Sequence, residues 1–130
     1  MTILVAYVPR PEGRAALEQG ITLARERHQK LLVVNAAPGG SDNDATLADP
    51  GEVDRVEKQL ASAGIEAEFR QFVRGNDAVA EIEQLVMAHN VELVVIGLRR
   101  RSAVGKVLLG SVAHDILMTV PCPVLAVKAR

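Results

Sequence analysis

The stretch ELVVIGLRRRSAVGKVLLGS, Glu92–Ser111, decides how this chain folds. Its first six residues, Glu92–Gly97, read as the most hydrophobic strand in the sequence. The remainder, Gly97–Ser111, changes character at once: it holds Gly97, Gly110, Arg99, Arg100, Arg101 and Lys106, contains no acid, and ends on a serine suited to opening a helix. A strand, a glycine-containing basic loop and a helix in that order let backbone N–H groups approach an anion. The helix N-terminus adds about half a positive charge. Gly97 permits close approach at the strand end, Gly110 does so before the helix, and Ser111 is placed to cap the helix and to donate its hydroxyl.

Working outward, short β-branched runs alternate with helix-period segments, as parallel strands joined by helical crossovers require. TILVAYV, Thr2–Val8, and LLVVNAA, Leu31–Ala37, read as buried strands. EAEFRQFV, Glu66–Val73, alternates, which places it at a sheet edge, and a fifth strand is expected from about Pro123 to Lys128. The first helix is expected over Pro11–His28, with Leu17, Ile21 and Ala24 on its buried stripe. Asp49 as N-cap, Pro50 at the first helical position and Glu52 reaching back to the cap announce the second, which buries Val53, Val56 and Leu60 and exits at Gly64. A third, capped by Asn76 or Asp77, carries Val79, Ile82 and Val86 and stops at His89 and Asn90. A fourth runs Ser111–Val120 with Val112, Ile116 and Val120 inward. The polar segment Pro38–Asp49 has no period and reads as a loop; Met87 and Met118 read as core filler.

The expectation is one three-layer, doubly wound α/β domain over residues 1–130, with a five-stranded parallel sheet in Rossmann-like order 3-2-1-4-5. In such a sheet the ligand crevice opens where strand order reverses, between strands one and four, and the basic loop leaves strand four there. With 130 residues and 48% apolar content the chain fills a single core. Net charge is −1, so the basic character is local to the loop and fits a small anionic ligand better than a nucleic-acid surface. One Tyr, two Phe and no Trp leave no platform for stacking bases. A single cysteine, Cys122, excludes an intrachain disulfide and suits a reducing cytosol. No apolar run approaches the ~20 residues of a membrane span, so the reading is a cytoplasmic protein with no nucleic-acid or membrane partner.

For chemistry the chain offers little. His28, His89 and His114 have no spacing that joins two of them as metal ligands. Ser111 lacks the G-x-S-x-G elbow, and Gly105-Lys106 is followed by Val107 where a Walker loop needs Ser or Thr. No catalytic or metal-binding residue is expected, and any hydrolysis is expected to be slow.

Gly97, Gly110 and Ser111 keep the register G-x-x-G, nine residues, G-[ST] found after strand four in the ATP-binding branch of the universal stress proteins, and the resemblance runs over essentially the whole chain. LLGSVAHDIL, PCPVLAV, GNDAVAEI and EGRAALEQGITLA are each similar to family segments. Two positions differ: Arg100 stands at the family's second loop glycine, and Val8 stands where ATP-binding members carry an acid, followed by Pro9 and Arg10. The resemblance implies binding of ATP, with Mg²⁺, or of another adenine nucleotide. Tyr7, Val8 and Ala36 would line the adenine side; Gly97, Arg99, Arg100, Gly110, Ser111 and Val112 would line the phosphate side. It also implies a homodimer that pairs the C-terminal strand, Val124–Val127, with its copy across a two-fold axis. The alternatives are a dimeric interaction scaffold in stress response that binds no nucleotide, and, less well matched, an enzyme of the adenine-nucleotide α-hydrolase type.

Overall fold

A computed structural model describes residues 1–35, 48–71, 78–100 and 107–129. Along the chain run β1 (Thr2–Tyr7), α1 (Pro11–Arg27), β2 (Lys30–Asn35), α2 (Pro50–Ser62), β3 (Ala67–Gln71), α3 (Ala78–Ala88), β4 (Val91–Arg100), β5 (Val107–Leu108), α4 (Ser111–Thr119) and β6 (Val124–Lys128). Five strands form a parallel sheet in the order β3-β2-β1-β4-β6, the sequence-derived 3-2-1-4-5. The register is unbroken from Thr2↔Lys30 to Tyr7↔Asn35 on one side of β1. On the other side it shifts once, between Thr2 and Ile3.

The period of two in the strands sorts the core into two layers. Ile3, Val5, Tyr7, Leu31 and Val33 pack with Leu17 and Ile21 of α1 and Val56 and Leu60 of α2. Leu4, Ala6, Leu32, Val34, Val94 and Ile96 pack with α3 and α4 through Val79, Ile82, Val86 and Ile116. The inner strands are sealed on both faces, so stability resides there: each fully buried Leu, Ile or Val contributes about 1.5–3 kcal/mol. β3 is half-exposed throughout, as expected of an edge.

Several local expectations are corrected. β4 continues to Arg100 instead of ending at Gly97, and the chain returns as β5 with Arg99 opposite Leu108 and Arg100 opposite Val107. Part of the presumed loop is therefore an antiparallel ladder. Asp49 does cap α2, accepting from the Glu52 N–H at 2.8 Å, but the Glu52 carboxylate turns to Tyr7 and Arg55. The N-cap of α4 is Gly110, whose carbonyl accepts from His114 at 2.8 Å; Ser111 is the first helical residue. α1 ends at Arg27, with His28 as its left-handed cap, φ 53°. Gly64 leaves α2 with φ 71°, the conformation that favours glycine. Met87 and Met118 are exposed, because they sit about 100° and 200° around their helices from the buried Val86 and Ile116. The expected cap at Asn76 or Asp77 and most of Pro38–Asp49 lie outside the described residues. No helix among the described residues is long and apolar enough to cross a membrane.

Candidate functional site

At the carboxyl ends of β1 and β4 the crossovers diverge: α1 leads back to β2, while α4 leads on to β6. Between them lies a crevice of about 210 Å³. Ala6 and Val8 line it from β1, and Ile96, Gly97 and Arg99 from β4. Arg10, Glu12 and Gly13 enter from the start of α1, and Gly110–Ala113 with Ile116 from α4.

Three glycines shape it, for different reasons. A Cβ on Gly13 would lie 1.8 Å from the Val8 carbonyl oxygen, and one on Gly97 would lie 2.2 Å from the carbonyl oxygen of Glu12. Both positions are bare so that the first turn of α1 presses against the strand ends. This corrects the sequence reading of Gly97: what comes close to it is the chain's own backbone. A Cβ on Gly110 would meet nothing within 4 Å, and its φ of −65° suits any residue. The space beside Gly110 is open.

That space lies at the N-terminal end of a helix. The amides of Ser111, Val112 and Ala113 are the first of α4 and have no helical carbonyl one turn back to donate to. They carry the positive end of the helix dipole. Val112 packs on the core beneath, and Ser111 is exposed with its hydroxyl free to turn toward a ligand. Arg99, on the rim, pairs through Nε with a Glu12 carboxylate oxygen at 3.3 Å. Its side chain is 54% exposed, whereas that of Glu12 is 9% exposed.

A second polar grouping lies at the same edge of the sheet, on the α1/α2 side. The Tyr7 ring is fully buried, edge-on to Phe69, and its hydroxyl donates to Glu52 and accepts from Arg55 at 3.1 Å. Arg55 also donates to both Glu52 oxygens, at 2.8 and 3.1 Å, and Arg14 stands 3.6 Å away. Arg55 hydrogen bonding holds the Glu52 pKa at about 2, against 4.5 for a free carboxyl. Burial, then the Glu52 carboxylate, raises that of Tyr7. Next to it, buried Asn35 donates to the Tyr7 carbonyl at 3.1 Å and accepts from Ala48 N–H at 2.8 Å and from Gln71 at 3.1 Å. Residues 35 and 48 are thereby tied together at the mouths of β2 and β3.

Of the residues named from the sequence, Val8, Gly97, Arg99, Gly110, Ser111 and Val112 come together around the crevice. Tyr7 sends its ring to the opposite face of the sheet. Ala36 and the Arg100 side chain lie outside the described residues. Sequence reasoning missed Glu12 and Gly13. Their signal was present as Pro11-Glu12-Gly13, an acid in the first turn of a Pro-initiated helix beside the end of β1. Among the described residues no group of three or more His, Cys, Asp or Glu is placed to hold a metal.

Fold and crevice together define a doubly wound α/β domain with an open crevice at its topological switch point, beside a helix N-terminus. Residues 1–128 match the model of the universal stress protein family. The chain belongs to that family. It is similar to a universal stress protein of Mycolicibacterium smegmatis, at 48% identity across 97% of this chain and 96% of the relative. Its fold is that of the universal stress protein from Archaeoglobus fulgidus solved in complex with dAMP: TM-score 0.71, 21% identity, covering 98% of this chain and 96% of the other. It is also that of an Arabidopsis thaliana family member solved with AMP bound: TM-score 0.65, 16% identity, covering 100% and 93%.

Proposed function

We propose that this protein is a regulatory module that binds ATP or another adenine nucleotide in the crevice between β1 and β4. The observation that carries the reading is the open space beside Gly110, bounded by the leading amides of α4 at the switch point of the sheet. Phosphate oxygens accept from Ser111, Val112 and Ala113, the Ser111 hydroxyl adds a donor, and Arg99 adds a charge-assisted contact from the rim. Val8 and Gly97 complete the described pocket in this reading; the resemblance adds Ala36 and Arg100, of which Ala36 and the Arg100 side chain lie outside the described residues. Tyr7 contributes through its backbone, since its ring faces away. That relatives of the same fold were solved with dAMP and AMP supports adenine as the base. Mg²⁺ would be held by the phosphates of the ligand. The protein acts in the cytoplasm as a homodimer closed by pairing of β6 with its copy, and hydrolyses nucleotide slowly if at all.

A second reading is favoured by Val8, whose side chain accepts no hydrogen bond where nucleotide-binding relatives carry an acid. It makes the protein a dimeric scaffold without nucleotide. Isothermal titration with ATP, ADP and cyclic AMP, with and without Mg²⁺, separates the two: micromolar binding that is lost in Gly110→Val supports the first, and absence of heat supports the second. Light scattering that returns a monomer at micromolar concentration would remove the dimer from either.

A further inference from the structure

The one acid among the described residues lining the crevice is Glu12, in a site proposed to take an anion. Gly13 and Gly97 are both bare so that its backbone fits against the strand ends, and Glu12 is left only 6% exposed. One carboxylate oxygen is paired with Arg99 at 3.3 Å; the other takes no hydrogen bond from any described residue. A carboxylate is acceptor-only, and this second oxygen is reached through the crevice, because the sealed side-chain atom without a partner among the described residues is Gln29 Oε1; water serves it until another donor takes that place. A phosphate brings negative charge and acceptors, so it belongs at the amides of α4 and away from Glu12. The group that satisfies Glu12 must donate.

In a nucleotide the moiety adjoining the phosphate is the ribose, whose 2′- and 3′-hydroxyls are paired donors. The adenine edge is a poorer match, because it sets an unprotonated ring nitrogen beside its amine and would bring that lone pair against the carboxylate. Glu12 and the first residues of α4 line the same crevice of about 210 Å³, so a nucleotide with its phosphate at the helix end would bring its sugar toward Glu12. Resting on the nucleotide reading above, we propose that Glu12 is the ribose-reading residue of this protein. It accepts from the sugar hydroxyls, points the phosphate toward Ser111–Ala113, and selects ribonucleotides over nucleotides that lack the hydroxyls. Arg99, on the other oxygen, shields the carboxylate from the phosphate.

The test is titration of the full chain and of Glu12→Gln with AMP, 2′,3′-dideoxy-AMP and inorganic phosphate. The wild type should prefer AMP over the dideoxy compound by about tenfold or more, the worth of a hydrogen bond to a charged group. Glu12→Gln should weaken AMP by a similar factor and erase that preference, without weakening phosphate. Equal binding of the two nucleotides by the wild type, or a preference that survives in Glu12→Gln, overturns the assignment of Glu12 and leaves the nucleotide reading standing. A wild type that takes up no AMP overturns both. If circular dichroism shows Glu12→Gln unfolded, the wild-type preference decides alone.

Discussion

Two polar groupings share the carboxyl edge of one sheet, a few residues apart in β1, and they are built on opposite plans. On the α1/α2 side the Tyr7 hydroxyl, Glu52, Arg55, Asn35 and Gln71 bond to one another and to neighbouring backbone. Around the crevice between α1 and α4, the leading amides of α4 and one oxygen of Glu12 have no partner among the described residues. A polar group satisfied internally fixes structure; one left open at a crevice is available to a ligand. The first grouping is what holds α2 against β1, and the second is where binding is proposed.

The glycines give the largest contrast. Gly97→Ala and Gly13→Ala should each cost about 3 kcal/mol or more, because the added Cβ collides with backbone that has nowhere to go. Urea denaturation reads this directly. Gly110→Val should cost no more than about 1 kcal/mol, the scale of a poorer N-cap, yet abolish nucleotide binding by filling the open space. If Gly110→Val unfolds the protein, the two kinds of glycine are not distinct.

On the satisfied side, Tyr7→Phe should destabilise by about 1–2 kcal/mol, since Glu52 and Arg55 keep each other when the hydroxyl is lost. Nucleotide affinity should stay within about twofold, well under the tenfold of 1.4 kcal/mol; a larger loss would place the Tyr7 side chain in the site. Glu52 also sets a pH dependence. Its folded pKa is about 2 and its ordinary value 4.5, so its contribution to stability is complete above about pH 4.5 and is lost as pH falls toward 2. Thermal midpoints measured across that window should fall less steeply in Glu52→Gln. The smallest effect belongs to Arg99→Ala. Removing this pair should lower stability by about 1 kcal/mol, since the exposed Arg99 loses little while the largely buried Glu12 loses its one described partner, and affinity for nucleoside phosphates drops and depends less on salt.

The sheet order and the buried stripes were legible because burial leaves a period in the sequence: Val79, Ile82 and Val86, or Val112 and Ile116, face inward wherever the helix is placed. The location of the crevice followed from topology, since β4 precedes the glycine segment and lies beside β1. What was not legible depends on partners distant in sequence. Gly97 serves packing against Glu12, and a glycine bared for the chain itself is spelled like one bared for a ligand. Asp49-Pro50-Gly51-Glu52 spells a capping box, yet Tyr7, 45 residues away, competes for the Glu52 carboxylate and wins. Charge and glycine in Gly97–Ser111 hid the short ladder between Arg99–Arg100 and Val107–Leu108, which has no alternation to announce it.

The central claim is that α4 offers its first amides to a phosphate while the Tyr7 side of the same edge is closed. Amide chemical shifts followed by heteronuclear NMR during titration with AMP test it most directly. The largest movements should fall on Ser111, Val112 and Ala113, with Glu52 and Arg55 nearly still; stationary α4 amides, or shifts centred on α2, would contradict it.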